Sequence, residues 1–373
     1  MQMVKTSYSP NDVTVLLKDL TGCMEAMSTE DREKAIQSGV HYSEMLPLEY
    51  APTEDYMTLF NDAMERQSRK TAVGIAALAE RLIAKHGIHF VIISLARAGT
   101  PIGILLKRYL KQKYGLNIPH YSISIIRGKG IDKNAMEYIR NKHPEIPVER
   151  FQFVDGWTGK GAILTQLKSA VDELKGESQG WEKLSADLAV LADPANICDQ
   201  VGTYEDFLIP SACLNATVSG LFSRTVLRND LVDTKAGDFH GSVYFENMQN
   251  EDRSIEFIDK VSELFSEVDV DEIAKALNES FERSDKTGSE VVKAVAEKYG
   301  IDDVNKIKPG VGETTRVLLR RVPWKVLISD KIKNTQDITH IVQLCTERDV
   351  PTEVCDIGNY SVCGIIKNLG ADA

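Results

Sequence analysis

The amino-acid sequence predicts an α/β fold: a parallel sheet with covering helices, then a helical connector and a small C-terminal α/β/α domain. Strand-like and helix-like segments alternate through the first half of the chain at the spacing of βαβ units. Acid-rich segments follow, in which apolar residues recur three and four apart as in amphipathic helices. A second alternation of strands and helices ends the chain. These patterns divide the sequence into residues 1–250, 251–305 and 306–373.

The elements of the first region follow one another in a regular order. A helical period over 71–87 stops at a glycine, which commonly ends a helix. The pattern then predicts strands at 89–96, 120–128, 149–155 and 187–193, and helices at 101–115, 133–142 and 161–176. Ligands of parallel sheets bind beyond the carboxyl ends of the strands. The segments that follow each strand are therefore expected to form the site.

Length and composition exclude several classes of protein. The 373 residues suffice for two or three domains, and the formal net charge of −11 argues against a protein that coats DNA. No apolar run reaches about 18 residues, and the first residues lack the pattern of a signal peptide, so we expect a cytoplasmic protein without a membrane partner. The six cysteines form no CxxC pair, which favours reduced thiols. The oligomeric state stays open, a homo-oligomer included.

One loop after a predicted strand has residues suited to phosphate. Asp155 ends the strand, and the next helix opens on Thr158, Gly159, Lys160 and Gly161. Backbone N–H groups and the helix dipole favour an anion there, and Asp155 is placed to hold ribose hydroxyls or Mg²⁺. A tight glycine turn capped by threonine would use the same residues, so this motif alone leaves both interpretations open.

Two further loops that follow strands carry cations. One is a loop of small residues in which amides and a guanidinium could reach a pyrophosphate, formed by Arg97, Ala98, Gly99 and Thr100. The other runs from Arg127 to Lys129 and is expected to be basic and mobile. Each of these loops, taken alone, is also compatible with a plain turn.

The three loops together resemble the type I phosphoribosyltransferases, a fold that binds 5-phosphoribosyl-1-pyrophosphate (PRPP) and Mg²⁺. The resemblance implies that the loop at Thr158 grips ribose and 5-phosphate, and that Asp155 is the metal ligand. It also implies that the loop at Arg97 binds pyrophosphate, and that Arg127, Lys129 and Asp155 are catalytic. A nucleobase-like acceptor of unknown identity would displace pyrophosphate at the anomeric carbon while the loop excludes water.

A wider set of motifs spans roughly residues 5–245: SYSPNDVTVLLKDL, SLARAGTPIGILLKR, HYSISIIRGKGID, FVDGWTGKGAI, IPSACLNATVSGLFSRTVL and DFHG. Together these segments resemble the bacterial and phage family called StiP, which is associated with tellurite-resistance and stress genes. Members carry a phosphoribosyltransferase-like domain, although they are often labelled cysteine proteases. A protease would need Cys213 as nucleophile and His240 as base, whereas the alternative for Cys213 is a buried structural thiol.

The C-terminal region has Gly310, Glu313 and Arg316 at a spacing of three residues. These residues resemble the Gly-x-Asn-Glu-x-x-Lys motif of the Pelota-type RNA-binding domain, with Arg in place of Lys. Arg316, Arg320 and Arg321 would form a basic helix that binds phosphates, and RNA is recognised through shape and exposed bases as much as through charge. The pattern continues with a strand at 324–330, a helix at 337–349, a strand at 352–358 and a helix from about residue 360. A scaffold domain with a solvated basic helix is the alternative.

Three functions are consistent with these motifs. The preferred one is a PRPP- and Mg²⁺-dependent phosphoribosyltransferase of a stress-response pathway, with an RNA-binding C-terminal domain. The second is a cysteine protease that uses Cys213. The third is a non-catalytic RNA-binding protein with a degenerate PRPP fold, since Gly156 stands where the phosphoribosyltransferases usually have a second acid.

Overall fold

The computed structural model describes residues 1–177, 179–278, 284–331 and 338–367, without the side chains of Thr29, Glu33 and Arg320. The strands are β1 Thr14–Val15, β2 Lys18–Asp19, β3 Ala26–Met27, β4 Leu46–Pro47, β5 Val91–Leu95, β6 His120–Ile123, β7 Ile125–Ile126, β8 Gly130–Ile131, β9 Phe151–Trp157, β10 Leu188–Ala192, β11 Gln200–Thr203, β12 Gly241–Ser242, β13 Ile307–Pro309, β14 Pro323–Ser329, β15 Thr352–Cys355 and β16 Val362–Ile366. The helices are α1 Thr29–Gln37, α2 Glu54–His86, α3 Gly99–Tyr114, α4 Lys133–Lys142, α5 Ala162–Glu177, α6 Pro210–Cys213, α7 Ser254–Glu263, α8 Val270–Asn278, α9 Gly288–Tyr299, α10 Val311–Arg320 and α11 Thr339–Glu347.

A six-stranded parallel sheet forms the centre of the larger part of the molecule. Its strands lie in the order β1-β6-β5-β9-β10-β11, and every neighbouring pair is parallel. The predicted alternation of strands and helices over residues 89–193 is confirmed, because β5, α3, β6, α4, β9, α5 and β10 follow one another in that region. The coarse prediction of an α/β fold with a parallel sheet is therefore confirmed.

Both faces of this sheet are covered because successive strand residues point to opposite sides. In β5, Ile92 packs into the core beneath α2 and α3, whereas Ile93 packs into the core beneath α4 and α5. In β9, Val154 and Phe153 divide in the same way. Every residue of Val91–Leu95 is buried, and all but Ser94 are apolar, which is the pattern expected of a strand buried on both faces. Because all six strands are parallel, their carboxyl ends lie at the same edge of the sheet.

The longest helix, α2, begins well before the predicted start at residue 71. Its first turn contains Glu54 and Asp55, which complement the helix dipole, and it ends at Gly87 with φ +70°. Gly74 lets the helix approach the sheet closely, since a Cβ there would lie 2.7 Å from Leu191. Among the helices of the described part, none has both the length and the apolar composition needed to cross a membrane.

The acid-rich helices α7 and α8 pack along α2 and α3 on the outer side of the molecule. Their apolar faces bury Phe257, Ile258 and Ile273 in the same core as α2. Arg108 of α3 joins this layer through Asp259, with Nη1 and Oδ1 separated by 2.7 Å. Helices α7 and α8 of the connector therefore form a second helical layer over one face of the sheet.

The C-terminal region is a four-stranded sheet with helices on both faces. The strand order is β13-β16-β14-β15, and β16 runs antiparallel to both of its neighbours. The cores place α10 and α11 on one face and α9 on the other. The predicted helix from about residue 360 is wrong, because Val362–Ile366 is a strand at the centre of this sheet. Its run of β-branched and buried apolar residues suits a central strand.

A buried carboxylate, Asp206, bonds the larger sheet region to the C-terminal region. Asp206 accepts hydrogen bonds from the backbone N–H groups of Val311 (2.9 Å) and Ser361 (2.8 Å), and Ser361 Oγ donates to the Asp206 carbonyl oxygen at 2.7 Å. The N–H of Val311 lies in the first turn of α10, where backbone N–H groups have no acceptor within the helix. Burial raises the pKa of Asp206 to about 7. The two regions thus share a bonded and desolvated contact.

Candidate functional site

A cleft opens where the carboxyl edge of the parallel sheet faces the C-terminal region; we call it the central cleft. It comprises three adjoining cavities of about 240, 370 and 540 Å³ that share lining residues. The large region lines it with the ends of β5 and β9, the start of α5 and the segment after α6. The C-terminal region lines it with β13 and α10. Ligand sites of parallel α/β sheets commonly lie at this edge.

The loop at the end of β5 packs directly against β9. A Cβ on Gly99 would lie 2.3 Å from the carbonyl oxygen of Val154, so only glycine fits at this contact. Ala98 lines the cleft, but the Thr100 hydroxyl is buried and bonds to Ser122 Oγ at 2.7 Å. Of the predicted pyrophosphate loop, residues 97 and 98 therefore face the cleft, whereas Gly99 and Thr100 serve packing.

The predicted phosphate loop, residues 158–161, lies at the floor of the cleft. Thr158 Oγ1 donates to Asp193 Oδ1 at 2.6 Å and accepts from the N–H of Ala195, so its hydroxyl stabilises the loop. The backbone N–H groups of residues 159–161 donate to no residue of the described part. Gly161 has φ +88° and precedes α5, so these donors stand at a helix N-terminus.

The C-terminal region holds this loop from the other side. The Tyr360 hydroxyl donates to the carbonyl oxygen of Gly159 at 2.6 Å, and Lys160 Nζ donates to that of Val304 at 2.7 Å. Burial and the neighbouring charges of Lys308 and Arg127 lower the pKa of Lys160. The loop and the cations around it are therefore positioned by residues from both regions.

The lining of the cleft is strongly basic although the chain is acidic overall. Three acidic side chains of the described part line it, Glu49, Asp155 and Glu313. The basic side chains there are eight: Arg32, Arg97, Arg127, Lys160, Arg224, Lys308, Arg316 and Arg321. Such an excess within a concave, low-dielectric surface concentrates anions.

Several of these cations have no partner among the described residues. The side chains of Arg127, Arg224, Lys308 and Arg321 form no ion pair or hydrogen bond within the part of the chain that the structure describes. Arg32 has a buried Nε without an acceptor. Unpaired cations held close together favour an anionic ligand, because such a ligand would supply the missing counter-charge.

Repulsion within the cluster is visible at Arg224. Burial and the nearby guanidinium groups of Arg97 and Arg32 lower its pKa. Arg97 is partly neutralised, since its Nη1 lies 3.1 Å from Glu49 Oε1 and also donates to the carbonyl oxygen of Phe222. The cluster therefore contains a paired arginine, Arg97, whose position is fixed by its partners, and an unpaired one, Arg224, which forms no ion pair with a described residue.

Asp155 lies at the end of β9 within the cleft. Its Oδ1 accepts from the N–H of Gly156 at 2.8 Å, and burial raises its pKa to about 7. No cluster of three or more metal-binding side chains occurs among the described residues, and no second acid adjoins Asp155 in the sequence. The predicted Mg²⁺ site and the binding of PRPP stay predictions that nothing here tests.

The basic loop after β7 is anchored at one end. The N–H of Arg127 donates to the Tyr42 hydroxyl at 2.8 Å, and the N–H of Gly128 donates to Gln166 Oε1 at 2.7 Å. The Arg127 side chain reaches the cleft, whereas Lys129 does not line it. The predicted catalytic set is thus brought together for Arg127 and Asp155 only.

The predicted RNA-binding residues divide between the cleft and its supports. Arg316 and Arg321 line the cleft, and Arg316 Nη1 pairs with Glu313 Oε1 at 3.1 Å. Gly310 precedes α10 with φ +99° and lies against Asp206. The side chain of Arg320 lies outside the described part. The motif therefore contributes two arginines and a turn to the same cleft as the sheet loops.

The proposed nucleophile and base of a protease are not brought together. Cys213 is only 2% exposed, and burial raises the pKa of its thiol to about 12 despite the charge of Arg316. His240 Nδ1 bonds to Ser124 Oγ at 2.8 Å, and its backbone N–H donates to Asp132. Within the described residues, no hydrogen bond joins Cys213 to a histidine. The residues beside Cys213, Ser211 and Leu214, do line the cleft.

Three of the cations in the cleft were not predicted from the sequence. Arg32 comes from α1, a helix of mixed charge with no motif, and Lys308 comes from a short strand. Arg224 lies in the segment IPSACLNATVSGLFSRTVL, whose resemblance to StiP did not mark this arginine. Their convergence depends on long-range packing, which local patterns do not report.

Comparison with known proteins identifies relatives for both regions. The family model described as "Tellurite-like stress resistance cysteine protease StiP" matches residues 6–262, and that of the PELOTA RNA-binding domain matches residues 286–368. A relative from Acinetobacter baylyi named "Cysteine protease StiP" is 33% identical over 372 residues, covering 98% of this chain and 94% of the relative. An aminotransferase from Anaerococcus prevotii aligns with 97% of this chain and 86% of its own chain at 9% identity. The TM-score of 0.21 is too low to indicate a shared fold.

These names correct the preferred prediction of function. The prediction of a PRPP-dependent phosphoribosyltransferase is wrong by this comparison, because the matched family and the relative are both named cysteine proteases. The names agree better with the protease alternative. PRPP and an acceptor base have no support as partners, whereas the resemblances to StiP and to the Pelota domain are confirmed.

Proposed function

The chain belongs to the StiP family, and from that premise we propose that its central cleft binds single-stranded RNA through the phosphates. The observation that carries this proposal is the set of unpaired cations shared between the parallel sheet and the Pelota-matched region. Phosphate contacts supply most of the affinity of proteins for nucleic acids, and they come chiefly from arginine and lysine.

The shape of the cleft favours an unpaired strand. The cations line concave cavities rather than a flat surface, and proteins that bind single strands combine a basic groove with surfaces for unstacked bases. The match to a PELOTA RNA-binding domain supports RNA as the nucleic acid. The acidic remainder of the chain would repel RNA elsewhere, which restricts binding to this cleft.

Equilibrium binding of a labelled single-stranded RNA to the full-length protein tests the proposal. The double variant Arg224→Ala/Lys308→Ala removes two unpaired cations. We expect it to weaken binding and to lower the slope of log K against log salt by about 1.4, since each phosphate contact on a single strand contributes about 0.7. The matched control is Lys183→Ala, a lysine with a 76% exposed side chain before β10, at the opposite edge of the sheet.

The outcome is decisive in either direction. Retention of wild-type affinity and salt slope by the double variant would place RNA elsewhere, and failure of the wild-type protein to bind RNA at low salt would reject the function. An equal loss of affinity in Lys183→Ala would show that the effect reflects net charge rather than the cleft.

A second candidate function is cysteine-dependent peptide hydrolysis. It is favoured by the names of the family and of the relative from Acinetobacter baylyi, and by the position of Cys213 between Ser211 and Leu214 at the cleft. A thiol peptidase requires a thiolate and a base within hydrogen-bonding distance. Because Cys213 is buried and lacks an imidazole partner among the described residues, catalysis would require α6 to move.

Hydrolysis of a denatured protein substrate, followed by mass spectrometry, tests this candidate. We expect activity to be lost in Cys213→Ala and retained in Cys23→Ala, whose thiol is exposed and lines none of the three cavities of the cleft. Equal activity in both variants would exclude Cys213 as the nucleophile. Loss of the activity in Cys23→Ala alone would assign it to the exposed thiol.

A further inference from the structure

We propose that Trp157, Asn215 and Ser211 form a nucleobase subsite in the central cleft that stacks one unpaired base and prefers adenine. This inference rests on the proposed binding of RNA and names the part of the RNA that is recognised. Cations alone read phosphates without distinguishing sequence, so recognition of a base needs an aromatic face and a hydrogen-bonding edge.

Trp157 supplies the aromatic face. It ends β9, is half-buried, and lines two adjoining cavities of the cleft. Its indole N–H donates to no residue of the described part, although most buried tryptophans bond theirs. The guanidinium carbon of Arg316 lies 6.0 Å from the centre of its ring, within the range of a cation–π contact. The ring therefore stands beside the phosphate-binding cations, as the base of a bound nucleotide must.

Ser211 and Asn215 supply polar groups on the wall of the same 540 Å³ cavity. Ser211 is 8% exposed, and its Oγ is buried without a hydrogen-bond partner. Leaving a buried hydroxyl unbonded destabilises the fold, so such a group calls for an explanation. The side-chain amide of Asn215 also bonds to no described residue, which leaves its oxygen and its NH₂ group available.

Stacking on the indole determines the expected base, and the amide of Asn215 holds its edge. An asparagine amide can accept from the N6 amino group of adenine while donating to a ring nitrogen of the same base. Uracil offers the amide a comparable pair, N3–H and O4, but its single ring covers less of the indole than the two rings of adenine, so the preference for adenine over uracil comes from stacking. Apolar side chains complete the cavity, among them Ile125, Ile163 and Leu214, and suit the flat faces of a purine.

Binding of two short RNAs of equal length, oligoadenylate and oligouridylate, to the full-length protein tests this subsite. We expect oligoadenylate to bind more tightly, and Trp157→Leu to weaken binding of both by about five- to hundredfold, the range of base–aromatic stacking. Trp157→Leu should also bring the ratio of the two affinities close to one, and Asn215→Ala should weaken binding of both RNAs. Trp324→Leu is the matched control, since this tryptophan is 38% exposed on the C-terminal sheet and packs against Tyr299.

The design separates failure of the subsite from failure of RNA binding. If Arg224→Ala/Lys308→Ala weakens binding while Trp157→Leu and Asn215→Ala do not, the cleft binds RNA and the base subsite is rejected. If the wild-type protein binds neither RNA, titration with AMP and with ribose 5-phosphate decides. Tighter binding of AMP that is lost in Trp157→Leu would support the subsite, and equal or absent binding of the two would overturn it.

Discussion

The central cleft and the surroundings of Cys213 lie side by side yet differ in almost every property that prepares a site. The cleft is open and carries cations and backbone donors that no described residue satisfies. Cys213 is closed off from solvent, and its pKa is raised by burial. The cleft has cations that an anionic ligand would neutralise, whereas the Cys213 thiol is packed in the apolar core.

Cys213 lies beside the cleft, but position alone does not make a residue catalytic. A catalytic residue also needs a suitable pKa and hydrogen-bonding partners. The cleft is organised for binding in the described conformation. A thiol mechanism would need a second conformation in which Cys213 is exposed to solvent and hydrogen-bonded to a base. Three measurements test this difference between the open cleft and the buried thiol.

The largest expected effect concerns the reactivity of the thiols. With iodoacetamide at neutral pH, we expect Cys213 in the folded protein to react about a thousandfold more slowly than in the denatured chain, because a pKa of about 12 suppresses its thiolate. Cys23 is exposed and serves as the internal control. Peptide mapping by mass spectrometry locates the label. Alkylation of Cys213 at the rate of Cys23 would show that α6 opens readily.

The next effect concerns the packing that shapes the cleft. Gly99→Ala should lower the free energy of unfolding by about 1–3 kcal/mol, because the new Cβ would lie 2.3 Å from the Val154 oxygen and overpack the contact. Gly159→Ala, in the neighbouring loop, has no atom within 4 Å of its new Cβ and should have little effect. Urea unfolding compares the two. Equal stability would contradict a rigid contact between the loop and β9.

The smallest effect concerns pH. Because the pKa of Asp155 is raised to about 7, its carboxyl is neutral below that pH and repels phosphates above it. RNA binding should therefore be about three- to tenfold tighter at pH 6 than at pH 8. No histidine lines the cleft among the described residues, and Asp155→Asn should abolish the dependence and match the tighter value at both pH values. Unchanged pH dependence in Asp155→Asn would assign the titration elsewhere.

The parallel sheet could be predicted because its signals are local. Largely apolar runs such as Val91–Leu95 and helix ends such as Gly115, with φ +70°, appear within a few residues of sequence. The strand Val362–Ile366 was mistaken for the start of a helix because its place depends on pairing with β13 and β14, which lie far away in the chain.

The candidate site could be predicted only in part, for the same physical reason. Loops after strands converge by topology alone, so Asp155 and Lys160 were found from their positions. Arg32 and Arg224 come from segments nearly two hundred residues apart, and no spacing rule connects them. The Thr158 hydroxyl shows the opposite error, since a residue type suited to phosphate bonds instead to Asp193.

The contact at Asp206 limits which C-terminal domains can be combined with the larger sheet region during evolution. Its carboxylate is matched to the N–H groups of Val311 and Ser361, so a Pelota-type module from another protein would dock only if its backbone presented the same donors. Recombination that exchanged the module as a cassette would leave a buried acid without bonds and a cleft without three of its eight cations. We therefore expect natural relatives that lack the C-terminal region to lack an acid at position 206 as well.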